Sequence, residues 1–519
     1  MRQAWRQHFP AVLAAAGLSP LLAGRKQWES ISCDAGARAR LSAARQVDVL
    51  VVGGGIAGVS AALFLAQAGQ KVLLVEAQSL GSGATGMSCA TVASAGEGDG
   101  SLGVEAMTAK TMSTLRGLQR RANTGRSDLD CGFVECGVLE LLRSEKELQK
   151  GRSEVEDLRS HGYVAEILSA AAAQTLEPAL VGAPRLLGAM HLPLSGYADP
   201  RKTTHAIASA ASEAGAECLE NCSVVAACKV NAEAGRTWRV SLSATDGYSD
   251  ETTLSQVDCA HVVLAPGASA LEAGRLFGLE LPVARVKAQM WSARVGPMAR
   301  PLSHIVYAMG SHLFWEEHST RDDATGVPNG TTHSASGERF CHHVYGRPSL
   351  DCEDGEISFG GDRLPLGVGT GSWNYDVNEG AVSDNFAHMA ESFPALQLHG
   401  AEYNPWCGLL GSTLHGGPLV GEVVFLPGIW LCTGFGGSGF MQGVGAGAAV
   451  AEWITQQQQE QQQEQQKQPQ QQQQQQPQVV QCSKAGVTSS WGFPSIKATG
   501  DPTAWVRPAS VFQATSDGL

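Results

Sequence analysis

Val47-Asp48-Val49-Leu50-Val51-Val52-Gly53-Gly54-Gly55-Ile56-Ala57-Gly58 is the stretch whose reading decides the fold. Its β-branched half reads as a buried parallel strand. Its glycine half reads as a tight turn into a helix, with an apolar pattern from Val59 through Ala68 and a stop at Gly69. Gly53 allows the turn, Gly55 lets the backbone approach a pyrophosphate, and Gly58 lets helix and strand pack closely. Ile56 and Ala57 open the helix, whose first-turn amides and partial positive charge suit phosphate. Lys71-Val72-Leu73-Leu74-Val75 reads as the next strand. It ends at Glu76, 18 residues after Gly58, where a carboxylate can accept from ribose hydroxyls, with Ala77 beside it. A dinucleotide site follows; the motif alone does not choose FAD over NAD. Val49 to Gly69 is uncharged and long enough to span a membrane. Its division into strand, turn and helix argues against an integral span.

The rest of the composition bounds the function. A chain of 519 residues is long enough for two domains. A formal charge of −13 disfavours a nucleic-acid surface. Thirteen cysteines lack metal-ligand spacing; Cys131/Cys136 and Cys218/Cys222 are the closest pairs considered, and free thiols are expected, with no metal. Residues 1–46 hold seven basic side chains and two acids, the composition of a transit peptide for a chloroplast or mitochondrion. A secretory signal or a plain extension of a cytoplasmic protein are the alternatives. Residues 456–519 begin with a Gln-rich tract and read as a disordered tail.

Past Glu76 comes a glycine/serine loop, Leu80-Gly81-Ser82-Gly83-Ala84-Thr85-Gly86-Met87-Ser88. With it the chain resembles the D-amino-acid oxidase superfamily, which includes glycine oxidase, sarcosine oxidase and dimethylglycine dehydrogenase. Three later stretches fit in order. Gly196-Tyr197-Ala198-Asp199-Pro200 and the strand through Val224 come first, then Val262 to Ala268 with Gly267, then Leu431 to Phe440. The resemblance implies FAD. It places Ser82, Gly83, Ala84 and Thr85 around the cofactor, the Val224 backbone at adenine, and Gly434, Gly436, Gly437, Ser438 and Gly439 in a loop closing over the flavin. It also implies an α/β (α+β overall) fold, with a Rossmann-like FAD-binding domain interleaved with a β-sheet-based substrate domain. The FAD-binding domain is expected from 47–120, 180–280 and 405–455. The substrate domain is expected from 121–179 and 281–404, with an inserted loop at 316–340.

In flavin enzymes the cofactor carries the redox chemistry and the protein positions it. A substrate carboxylate is matched bidentately by arginine. Arg347 in Val344-Tyr345-Gly346-Arg347-Pro348 is the expected anchor, and Tyr345, two residues away, shares its strand face. His415 is a candidate base, standing where the family often has an acid, and Leu410 stands where it often has arginine. Cys407 is one residue off the position at which some sarcosine oxidases tether flavin, so noncovalent FAD is expected. Together these predict oxidation of the CH–NH bond of a small amine or amino acid, by hydride transfer to flavin, with O2 or an electron carrier as acceptor. The alternatives are a dehydrogenase passing electrons to a carrier or quinone, or a catalytically altered FAD-binding assembly or scaffold protein.

Overall fold

A computed structural model describes residues 45–94, 102–230, 237–245, 252–296, 298–308, 331–333, 339–341, 345–348, 355–366, 373–413, 417–472 and 507–508. The run Val49–Val52 is a strand at the middle of a six-stranded sheet. Val72–Val75 and then Glu217–Leu219 lie on one side of it; His261–Leu264, Ile429–Thr433 and Leu419–Glu422 lie on the other. All neighbours are parallel except the last edge strand, which is antiparallel. The four residues of Val72–Val75 are fully buried, as a parallel strand covered on both faces requires. Helix Ile56–Gln67 covers the sheet, and helix Gly439–Gln472 crosses it closely. Gly447 makes that crossing possible, because a Cβ there would stand 2.5 Å from the Ala61 nitrogen. A four-stranded sheet of Arg45–Gln46, Thr252–Cys259, Trp238–Thr245 and Cys222–Lys229 packs alongside.

The second layer is a ten-stranded mixed sheet. Its spine is the long strand Val283–Arg294, which pairs antiparallel with Glu356–Pro365 on one side and Tyr403–Thr413 on the other. Tyr345–Pro348, Ile305–Ala308, Val138–Leu142, Gly188–Leu192 and Glu166–Ser169 continue it. The two sheets thus take their strands alternately along the chain, the interleaving expected of this fold. Two strands fall across the expected seam. Gly188–Leu192 and Tyr403–Thr413 both belong to the ten-stranded sheet, although residues 180–280 and 405–455 were assigned to the FAD-binding domain. Helix Glu379–Ser392 covers the far face of this sheet, with Trp291 stacked on Phe359 beneath it.

The ends differ from expectation where they are described. Arg45–Gln46, at the end of the expected leader, pairs parallel with Val257–Asp258, and the Arg45 guanidinium pairs with Glu217. The C-terminal helix continues through the first 17 residues of the Gln-rich segment, to Gln472. Glutamine has good helix propensity, and here it extends a helix already nucleated by packing. Within the expected loop 316–340, Thr331–His333 pairs with Arg339–Cys341. Among the described residues no helix is long and apolar enough to cross a membrane, and no cluster of side chains could hold a metal ion. Cys131, Cys136, Cys218 and Cys222 are all free thiols.

Candidate functional site

The nucleotide end of the site is assembled by main-chain geometry. Gly53 has φ +110°, which an L side chain rarely adopts. Helix Ile56–Gln67 has Gly55 as its N-cap and no side-chain cap of its own. The Ile56 N–H donates to Thr85 Oγ1 at 3.1 Å, so the loop after Glu76 is fastened to the helix start. First-turn amides such as those of Ala57 and Gly58 have no intrahelical acceptor and are available to phosphate. Glu76 Oε2 accepts from the Gly54 N–H at 2.6 Å, and its Oε1 accepts from the Gln78 N–H at 2.9 Å. The carboxylate therefore shapes the glycine turn and keeps lone pairs for hydroxyls.

Burial holds the Glu76 carboxyl above its usual value of 4.5, against the backbone hydrogen bonds that lower it; the nearby Glu220 charge adds to the rise. In the folded apoprotein the carboxyl therefore takes up its proton at a higher pH than in the unfolded chain. Acidification through that range thus adds stability to the apoprotein while removing an acceptor that ribose hydroxyls need. FAD retention is expected to weaken as pH falls, beginning above pH 4.5. Flavin content after gel filtration across a pH series checks this; retention that stays flat down through pH 4.5 contradicts it.

The segments that follow in sequence meet the same edge. Asp199 caps helix Pro200–Glu213, its Oδ1 accepting from the Arg201 and Lys202 amides at 2.9 Å each, with Pro200 at the first helical position. The strand carrying Val224 begins where the Cys222 N–H donates to the Glu76 carbonyl at 2.8 Å, two residues before Val224. Gly267 follows the strand His261–Leu264, and Gly434 follows Ile429–Thr433, both at the C-terminal edge of the parallel sheet where nucleotides bind. Thr433 is buried, and its Oγ1 has no hydrogen-bond partner among the described residues. That orphaned polar atom, the open helix amides and the Glu76 carboxylate all belong to the C-terminal edge of one parallel sheet, an arrangement that fits a dinucleotide.

A cleft opens between the loop after Glu76, the C-terminal loop and the ten-stranded sheet. One wall is the loop Met87 to Thr91, with Ala84. A second is Gly437, Ser438, Phe440 and Met441 from the C-terminal loop and helix. The third is the ten-stranded sheet: Ala288, Met290, Gly408, Leu410, Tyr307, Tyr345 and Arg363. Tyr307 and Tyr345 stack at 5.9 Å, and the Tyr307 hydroxyl lies 2.7 Å from Thr91 Oγ1. Arg363 is the only ionisable cation among the described lining residues. It is 5% exposed, and its guanidinium packs over Gly437, where a Cβ would fall 2.8 Å from Cζ.

The sequence reading named Arg347 for this wall and did not name Arg363, the arginine that lines the cleft. Tyr345 does line the cleft, but Arg347 does not. Arg347 is buried beyond it, donating from Nε to the Cys89 carbonyl at 2.7 Å and from Nη1 to the Pro348 carbonyl at 2.8 Å, with its guanidinium 5.1 Å over the Tyr197 ring. His415 lies outside the described residues. Cys407 pairs with Gln289 on the sheet face away from the cleft, and its thiol donates to the Tyr375 carbonyl at 2.8 Å. Its neighbour Gly408, opposite Ala288, is the residue that faces the cleft.

Residues 48–453 match the family described as DAO, FAD dependent oxidoreductase, and the chain belongs to that family. It is thus an FAD-dependent oxidoreductase. Among curated proteins it is 25% identical over 420 residues to the mitochondrial sarcosine dehydrogenase of Homo sapiens, a match covering 78% of this chain and 39% of that protein. It is 28% identical over 242 residues to the glycine oxidase of Geobacillus kaustophilus (strain HTA426), covering 47% and 60% respectively. The chain thus spans about two fifths of the first relative's length. The crystal structure of glycine oxidase from Geobacillus kaustophilus superposes with a TM-score of 0.62 at 23% identity, over 79% of this chain and 94% of that one, a likeness of fold.

Proposed function

We infer that this chain oxidises the CH–NH bond of a small amine that carries a carboxylate, an amino acid or N-alkyl amino acid. The observation carrying this reading is Arg363: a buried guanidinium on the cleft wall, beside the loop Gly437–Ser438, in a site with no other described cation. An arginine fork there would fix a carboxylate bidentately and hold the amine end toward the loops. Bound FAD supplies the two-electron acceptor. The stacked Tyr307 and Tyr345 form an apolar, aromatic wall that shields the reacting carbon from water. The names of the relatives, which act on sarcosine and glycine, support a substrate of this size.

The test compares each amino acid with the amine that lacks its carboxylate. Half-saturation for anaerobic flavin reduction is expected to be at least tenfold lower for the carboxylate-bearing member. Equal values would remove the anchor from this reading. The far-side placement of Cys407 supports noncovalent FAD. Acid precipitation is therefore expected to leave a colourless pellet and a yellow supernatant; a yellow pellet contradicts it. O2 and an electron carrier are the two proposed acceptors, separated by turnover in air with and without an artificial acceptor. Import into mitochondria is proposed from the basic residues of 1–46 and the mitochondrial relatives. A fluorescent fusion of the full chain that stays outside mitochondria contradicts that.

A further inference from the structure

Arg347 is 4% exposed, yet its hydrogen bonds run to two main-chain carbonyls, and no ion pair ties it to an acid among the described residues. Burying a guanidinium without a carboxylate is unfavourable unless its donors are used well. One of them goes to the Cys89 carbonyl, in the loop that walls the cleft. The next residue, Ala90, has φ +55°, a left-handed conformation uncommon for alanine. Its own carbonyl is held by the Ala198 N–H at 3.0 Å. The Ala90 N–H, by contrast, has no acceptor among the described residues, although Ala90 is 2% exposed and lines the cleft. In a trans peptide the C=O and the following N–H point in opposite directions. Drawing the Cys89 carbonyl toward Arg347 therefore turns the Ala90 N–H away from Arg347, in a residue that itself lines the cleft. A strained backbone held from both sides, with one donor left over, is an arrangement that its surroundings must enforce.

We propose that Arg347 is a positioning residue: through the Cys89–Ala90 peptide it presents the Ala90 N–H as a fixed donor to an acceptor atom of the flavin ring, and so raises the flavin's affinity for electrons. This rests on the reading that FAD is held with its ring in this cleft. A donor aimed at an atom that gains negative charge on reduction stabilises the reduced form without reorganisation. The role differs from substrate anchoring in what it predicts. Arg347 sets the potential and the rate, and Arg363 sets the half-saturation.

The experiment uses the purified flavoprotein and its Arg347→Met and Arg347→Lys variants. Flavin content, the visible flavin spectrum and the two-electron midpoint potential are measured, with anaerobic reduction by a carboxylate-bearing amine. Arg347→Met is expected to keep its flavin and to shift its spectrum. Its reduction equilibrium should fall about tenfold, which is about 30 mV for a two-electron couple. The limiting reduction rate should fall while half-saturation stays within twofold. Arg347→Lys retains one donor for the Cys89 carbonyl but not the planar fork, so intermediate values are expected. If the Met variant does not fold, a Lys variant with the parental potential and spectrum overturns the proposal. A Met variant with parental potential overturns it too, as does a change confined to half-saturation. A parent that retains no flavin instead overturns the proposed function, and this inference with it.

Discussion

Arg363→Ala is expected to keep its flavin and fold and to lose its hold on carboxylate-bearing amines. Truncating one partner of a buried, charge-assisted pair costs about 2–5 kcal/mol of binding, because the other charge is left desolvated and unpaired. That is a rise in half-saturation of about 30-fold to several thousand-fold. Arg363→Lys should recover part of the loss, since an ammonium supplies charge without the planar fork. Amines without a carboxylate should respond much less to either change. Anaerobic reduction rates against substrate concentration for the three proteins check this. Unchanged half-saturation in Arg363→Ala would move the anchor elsewhere.

Gly58→Ala is expected to abolish flavin retention and to destabilise the fold. An added Cβ would stand 1.9 Å from the Gly53 carbonyl oxygen and 3.5 Å from the Ala265 Cβ. The near neighbour is backbone at the tight turn, so relief requires parting helix Ile56–Gln67 from strand Val49–Val52 at the point where phosphate is to bind. Overpacking of this kind costs about 1–3 kcal/mol, and more where backbone must shift. Gly117→Ala, in helix Leu102–Asn123, is the stability control, because a Cβ there meets nothing within 4 Å. Thermal melting and flavin content of the two variants should therefore separate widely. Parental melting and parental flavin in Gly58→Ala would contradict the structure of this turn.

Much of the nucleotide end was legible because its logic is local. A β-branched run, a glycine turn, a helix and an acid at fixed spacing are set by neighbours in sequence; that Glu76 also holds the Gly54 amide was not foreseen. The substrate wall was less legible, for two physical reasons. Tyr345 and Arg347 do share a strand face, but two residues carry the chain about 6–7 Å along it. That distance takes Arg347 out of the cleft and under Cys89. The second reason is a bulge. Met290 pairs with Gly360, Gln289 with Asp362 and Ala288 with Arg363, so Gly361 is the extra residue. Simple alternation would have set Asp362 opposite Ala288 on the cleft wall. The bulge exchanges the two side chains: Asp362 accepts from Asn385 Nδ2 at 3.2 Å on the far face, and Arg363 enters the site. An acid is thereby replaced by a cation through one unpaired glycine, a pairing between distant strands that no local pattern announces. Cys407 was legible for the same reason in reverse, since its one-residue offset from Gly408 sets its face.

On the proposed function, this chain takes two electrons from the carbon beside the nitrogen of a small carboxylate-bearing amine. The most direct measurement is anaerobic mixing of the purified flavoprotein with a panel of N-methyl amino acids and D- and L-amino acids, followed by flavin absorbance and product analysis. At least one member is expected to bleach the flavin completely, with one imine-derived carbonyl product and one amine released per flavin reduced. A flavoprotein that dithionite bleaches but that no member of the panel reduces would contradict the claim.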